Sequence, residues 1–311
     1  MGSYIPLFND LVFKYVFGSK EHASALCAFL NAILSPLMTH KIVQVNLQNP
    51  FNLQEALDEK LSILDIRATD ETGRIFNLEM QVAEDGRYAQ RALYYACKTH
   101  AQQLKVGEDY QNLTPVISIS ILNWIWNPSP KLHSIFRLKE INSHEEFPNF
   151  LEFHMIQLPF LRDESGVSSC SVLEKWLLLI ARGDDYMSQS NDETLQELLK
   201  EEGIADAIAA YKKCNSSQEM RYLIEAREKA QRDQISRFNQ AKEQGLQQGL
   251  QQGLQQGLQE GELSGQLKTF LMLYRNGILP KDKAVEQMQS LLGQNHDDLV
   301  QSFLGQLKAN S

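Results

Sequence analysis

The sequence predicts an α/β domain, a mixed central sheet flanked by helices, followed by an all-helical C-terminal region. Three observations predict it. Two apolar, partly alternating runs flank a short turn between Lys60 and Val82, which is how a β-hairpin is written in sequence. The run Val116-Ile117-Ser118-Ile119-Ser120-Ile121-Leu122 suits a strand covered on both faces, and helical stripes lie before and after it. From about Asp184 the composition shifts to charged and glutamine-rich helical patterns. The regions expected are therefore 1–183 for the α/β domain, 184–243 for a helical connection, and 244–311 for a glycine-repeat helix with a C-terminal helical oligomerisation region.

In chain order, Asn9 or Asp10 can cap a first helix whose apolar positions Leu11, Val12, Tyr15 and Val16 repeat at helical spacing. A second helix is expected over Glu21 to Leu34, where Ala25, Leu26, Phe29, Leu30 and Ile33 form the stripe and Ser35-Pro36 ends it. Ile42 to Leu47 alternates like a strand, and Asn49 to Asp58 reads as a polar connection.

The hairpin follows. Asp65 faces Glu79 only if the register brings it across, which a three-residue loop, Glu71-Thr72-Gly73, with Gly73 in the left-handed position of a bulged turn, would do. Alternation turns Asn77, Glu79 and Gln81 to one face and Phe76, Leu78, Met80 and Val82 to the other, which is expected to face a core. Two carboxylates on adjacent strands are costly to bring together without a cation between them. Oxygen ligands of this kind suit Mg²⁺ or Mn²⁺, which borrow one or two protein carboxylates and leave other positions to water and phosphate. On residue types alone, the pair also reads as solvated polar positions on a half-exposed hairpin.

After Gln81 the pattern turns helical. Arg87, Arg91, Lys98 and Lys105, separated by four or seven residues beside Tyr88, Tyr94 and Tyr95, form a basic stripe that could hold a phosphate backbone or be a solvated surface. Trp124 and Trp126 follow the buried strand, and Pro128 and Pro130 break the pattern. A strand around Leu151 to Leu158 ends at Pro159, and Val172 to Ala181 makes an apolar helix. Asp192 to Lys212 is helical, and Ser216-Ser217-Gln218-Glu219 opens a long charged helix through Ala241 with a capping signature.

Six glycines, Gly245 to Gly265, then recur every fourth residue beside Leu246, Leu250, Leu254 and Leu258. In an isolated helix they cost on the order of 5 to 6 kcal/mol relative to alanine. The segment is therefore helical only if packed, and a flexible Gly/Gln linker is the alternative. Leucine at fixed spacing favours an oligomerising helix, and Leu267 to Leu279 and Ala284 to Leu304 read as amphipathic helices suited to self-association as a dimer.

Composition sets the outer limits. The net charge of −9 excludes a generic nucleic-acid coat, so DNA contact has to come from a local basic cleft. No apolar run reaches membrane-span length and no signal segment is apparent, which makes the expected location cytoplasmic and the membrane no partner. The four cysteines and seven histidines are scattered without metal-ligand spacing.

The order strand-Asp65, short turn, strand-Glu79-Met80-Gln81 resembles the PD-(D/E)XK nuclease core, and specifically its recombination-promoting nuclease and transposase branch. Asn9-Asp10-Leu11-Val12-Phe13-Lys14-Tyr15-Val16-Phe17-Gly18 is similar to the start of that branch, as is Arg87-Tyr88-Ala89-Gln90-Arg91-Ala92-Leu93-Tyr94-Tyr95 after the Glu. The resemblance spans about residues 5 to 180, and the glycine-rich tail fits the branch. It implies a restriction-endonuclease-like core and a divalent-metal-dependent DNA endonuclease linked to recombination, mobile elements or phage defence. The alternative is a catalytically inactive nuclease fold that binds DNA or a protein partner, and a third is a structural oligomer built on the tail.

By the same resemblance Asp65 and Glu79 ligate Mg²⁺ or Mn²⁺, with the Met80 carbonyl an extra oxygen ligand and Asp10 on the first helix a further acidic candidate. Gln81 stands where the wider superfamily has its catalytic lysine, so it orients water or phosphate by hydrogen bonding. Lys60 and Lys98 are the candidates to supply the missing cation, and Arg87, Arg91 and Lys98 the expected DNA contacts.

Overall fold

A computed structural model describes residues 4–38, 40–53, 65–127, 131–148, 150–162, 166–188, 193–291 and 297–309. Lys60 lies outside the described residues. The chain divides into two compact units, Met1–Arg227 and Glu228–Ser311.

The first unit holds a six-stranded sheet ordered β1-β2-β3-β4-β6-β5. The strands are β1 (Val45–Leu47), β2 (Ile66–Asp70), β3 (Ile75–Gln81), β4 (Val116–Leu122), β5 (His133–Arg137) and β6 (Leu151–Gln157). Pairing of β3 with β4 and of β4 with β6 is parallel, whereas β1/β2, β2/β3 and β5/β6 are antiparallel, so the sheet is mixed as the sequence predicts. β4 sits in the middle and is buried throughout, which explains its unbroken run of apolar and small residues.

One face of the sheet is covered by helices α1 (Asp10–Gly18) and α2 (Ala23–Leu34), with α4 (Val172–Ser188), α5 (Glu193–Leu198) and α6 (Ile204–Ser216) built onto them. Asn9 caps α1, its side chain accepting from the Leu11 and Val12 N–H groups. The core closes around Phe17, Phe29 and Trp176, with ring centroids 5.0 to 5.8 Å apart. The other face is covered by α3 (Tyr88–Ala101), whose Tyr88, Ala92 and Ala96 point inward; Tyr88 and Ala92 pack on Leu122 and Met155.

Composition puts the end of this domain at 183, but the compact unit runs further. α6 is part of it: the Tyr211 hydroxyl donates to the Ile5 carbonyl at 2.7 Å, and the Ile5 N–H donates to Asn215 Oδ1 at 2.7 Å. A periodic stripe shows that a helix buries one face but not what it is buried against. The expected continuous helix of 192–212 is interrupted at Gly203, whose φ of 78° and 2.4 Å approach of a hypothetical Cβ to Ala28 admit only glycine.

β5 is an edge strand that alternation does not announce, because its residues are half-buried or exposed. Beside it, buried Glu152 pairs with Arg137 at 2.5 Å and accepts from His154 Nε2 at 2.6 Å, so its charge is met inside the protein.

The second unit contains most of α7 (Gln218–Arg275), then α8 (Lys281–Gln289) and α9 (Asp297–Ala309). Leu263, Leu267, Leu271, Met288, Val300 and Phe303 form its small core. The glycine repeat is helical, inside one uninterrupted 58-residue element.

Candidate active site

The hairpin forms with the expected loop. Gly73 has φ of 85°, and Asp70 N–H donates to the Arg74 carbonyl across Glu71-Thr72-Gly73. Asp70 fixes this turn by accepting from the N–H groups of Thr72 and Arg74, both at 3.0 Å, and by pairing with the Arg74 guanidinium. Ile66 is opposite Leu78 and Arg67 opposite Asn77, so one further step places Asp65 opposite Glu79.

The ladder alternates from the Asp70–Arg74 bond, which makes the Asp65–Glu79 position a non-hydrogen-bonded pair, where Cα atoms approach to about 4.5 Å and side chains are closest. The inward set Phe76, Leu78 and Met80 is buried as expected, while Val82, past the end of the strand, is exposed rather than core-facing.

Glu79 collects four neighbours on its face. Gln81 Nε2 donates to its Oε1 at 2.5 Å, the Tyr88 hydroxyl to its Oε2 at 3.1 Å, and the Arg91 guanidinium lies 3.6 Å from Oε1. Burial is the largest influence on this carboxyl and raises it above the ordinary glutamate range; Arg91 and Tyr88 oppose that, and the Asp65 carboxylate adds to it. The fourth neighbour is therefore a second anion.

Asp65 Oδ1 is buried and has no hydrogen-bond partner among the described residues. A buried carboxylate oxygen without a donor, facing a second carboxylate whose proton affinity is already raised, fits a divalent cation as its missing partner. Among the described residues no three His, Cys, Asp or Glu side chains converge to hold a metal, so a cation here would have to share two carboxylates with main-chain oxygen. Met80 fits that share. The Gln81 carbonyl accepts from Asn123 N–H on the β4 side at 2.9 Å, so alternation turns the Met80 carbonyl toward β2, past the point where β2 pairs with it.

Other sequence candidates fall differently. Asp10 is turned to Arg227, with a 3.1 Å ion pair. Arg91 is paired with Asp85 at 2.8 Å and lies 3.6 Å from Glu79, so it joins the acidic pair to the helix surface. Tyr88 is buried, whereas Arg87, Lys98, Tyr94 and Tyr95 are exposed on α3. Lys105 follows the end of that helix and does not extend its face.

Lys14 and Asn49 are the two residues at this site that sequence reasoning missed. Lys14 is buried on α1 and its Nζ donates to the Asp65 main-chain carbonyl at 2.5 Å. Burial lowers its pKa to about 8, with the Asp65 charge acting in the opposite sense. The signal available was a lysine among the apolar positions of an amphipathic helix. Asn49 Nδ2 donates to the same carbonyl at 2.9 Å, and its Oδ1 accepts from Arg67 N–H at 2.7 Å.

A mixed sheet with paired acidic residues at the open end of its central hairpin, and a helix returning over them, defines a nuclease-type α/β core. The chain belongs to the PD-(D/E)XK nuclease family of transposases, whose model matches residues 7–241. No curated protein and no solved structure matches it. No helix among the described residues is long and apolar enough to cross a membrane.

Proposed function

We propose that the chain is a divalent-metal-dependent DNA endonuclease that hydrolyses phosphodiester bonds at Asp65 and Glu79, in the setting of recombination, mobile elements or phage defence. The observation that carries this reading is the buried Asp65 Oδ1, without a donor among the described residues, at the closest-approach position opposite Glu79. Mg²⁺ or Mn²⁺, when bound, polarises the phosphate and makes a bound water more acidic. The Asp65 and Glu79 carboxylates and the Met80 carbonyl hold it. Gln81, a neutral amide where the superfamily has lysine, donates one hydrogen to Glu79 and directs the other toward water or phosphate. Tyr88 and Arg91 orient Glu79, and Arg87, Arg91 and Lys98 take the DNA backbone.

The same reading includes a dimer through the C-terminal helices. Leu246, Leu250, Leu254 and Leu258 are 61 to 74% exposed, and apart from its chain neighbours and the adjacent turns of the helix backbone, nothing among the described residues lies within 4 Å of a Cβ built on any glycine from Gly245 to Gly265. The packing that would offset the helical cost of six glycines is thus not supplied by the described residues of one chain. Two copies would present two centres to one duplex, which suits cutting both strands.

Nicking of supercoiled DNA in Mg²⁺ or Mn²⁺ tests the proposal. Asp65→Ala and Glu79→Ala should each abolish it with circular dichroism unchanged. Purified single variants that cut as fast as the parent would overturn the assignment.

A further inference from the structure

Asp65 stands just outside the sheet ladder: β2 begins at Ile66, and the β1 strand ends where Leu47 pairs with Ala68. Gln48 N–H still donates to the Arg67 carbonyl at 2.7 Å, but Pro50 follows Asn49 and has no N–H to continue the edge. The Asn49 side chain takes over. Its amide accepts from Arg67 N–H and donates to Asp65 O, so one side chain stands in for the Gln48 carbonyl and the residue-50 N–H that a continuing antiparallel strand would offer to these two groups.

The same carbonyl oxygen takes a second donor from the opposite direction. Lys14, 5% exposed, reaches it along α1, and Gly18 one turn later leaves the passage open: a Cβ there would lie 3.2 Å from Lys14 Cδ. An ammonium is costly to bury, and Asn49 already satisfies the carbonyl, so a lysine here is not needed to complete a hydrogen bond. What the two donors share is Asp65, whose carboxylate Oδ1 has no hydrogen-bond partner among the described residues to fix it.

We infer that Lys14 and Asn49 are positioning residues that clamp the Asp65 main chain, so that its carboxylate stands ready opposite Glu79 for a divalent cation. The inference rests on the reading of Asp65 and Glu79 as metal ligands. Lys14 is too buried to touch DNA and acts only through Asp65. Its charge and its hydrogen bond have opposite consequences: a nearby ammonium repels a dication, whereas a held carboxylate receives one with less ordering. If the clamp dominates, losing either donor weakens metal binding, although only one of the two losses removes a charge.

Isothermal titration of the full-length chain with Mn²⁺, without DNA, separates these cases. Lys14→Met and Asn49→Ala are both expected to lower Mn²⁺ affinity by about tenfold or more, the range for groups that orient metal ligands. Circular dichroism should be unchanged, and in Asn49→Ala the Arg67 N–H should exchange faster with solvent. Tighter binding by Lys14→Met, or parent-like binding by folded Asn49→Ala, overturns the clamp. Should Lys14→Met fail to fold, the half-buried Asn49 variant decides alone. Asp65→Ala distinguishes the two levels of reading: if it loses Mn²⁺ while both clamp variants bind like the parent, only the clamp fails, and if the parent binds no Mn²⁺, the metal site fails with it.

Discussion

The Tyr88 hydroxyl donates to Glu79 Oε2 at 3.1 Å, tying the first turn of α3 to the acidic face of β3. Tyr88 is 1% exposed and its ring meets Trp124 edge-on at 6.2 Å, so its position is fixed by packing and the hydroxyl serves the carboxylate. Tyr88→Phe keeps the packing and removes the bond. A hydrogen bond to a charged group is worth about 1.5–3 kcal/mol. Cleavage should therefore fall by about tenfold or more in a variant whose circular dichroism matches the parent's; a rate within twofold of the parent would show that Glu79 needs no such anchor.

At the proposed metal site, protons and metal would compete for Glu79. Because burial raises this carboxyl, the folded, metal-free chain holds the proton more tightly than the unfolded chain does. That contribution to stability is fully present below the unfolded glutamate range and is lost as pH rises through the raised folded value. If the proposed site holds, Mn²⁺ would replace the proton at higher pH. Thermal melting should thus show a larger Mn²⁺-induced stabilisation at pH 7.5 than at pH 5, and Glu79→Gln should remove most of that difference. Equal shifts at both pH values would mean that Glu79 does not take the ion.

The exposed basic groups of α3 give a salt signature. Arg87→Ala and Lys98→Ala should each weaken DNA binding across sequences and reduce the slope of log affinity against log salt by about one. Arg91→Ala should do more than this, because it also frees Glu79 and Asp85 from their shared partner. Slopes equal to the parent's for both surface variants would remove this helix face from the DNA path.

The glycine repeat makes a prediction about mass. Light scattering should find a dimer for the full chain and a monomer after truncation at Ala241. Loss or gain of one four-residue repeat should be tolerated, since each repeat restores the same local chemistry, whereas a single inserted residue rotates the leucine stripe and should weaken association. A full chain that is monomeric at micromolar concentration ends the assembly argument.

Gln81→Ala addresses the lysine substitution. It removes the donor to Glu79 Oε1 and should slow cleavage severalfold or more. An unchanged rate would leave the amide without a part in the reaction.

Sequence alone determined the mixed sheet, the hairpin loop and the register that sets Asp65 against Glu79. These follow from a period of two, a glycine at a left-handed turn position and a covered strand at Val116–Leu122, all of which are local. It also determined that the repeat from Gly245 to Gly265 carries a leucine stripe. Tertiary structure decided what converges on that register from far along the chain: Lys14 from α1, Asn49 beyond β1, and Tyr88 and Arg91 from α3. It also joined α6 to the first unit. The physical reason is that periodicity fixes which face of an element is buried, whereas the partner of a long polar side chain depends on how elements cross, and nothing in the spacing of Lys14 or Tyr88 encodes the distance to Asp65 or Glu79.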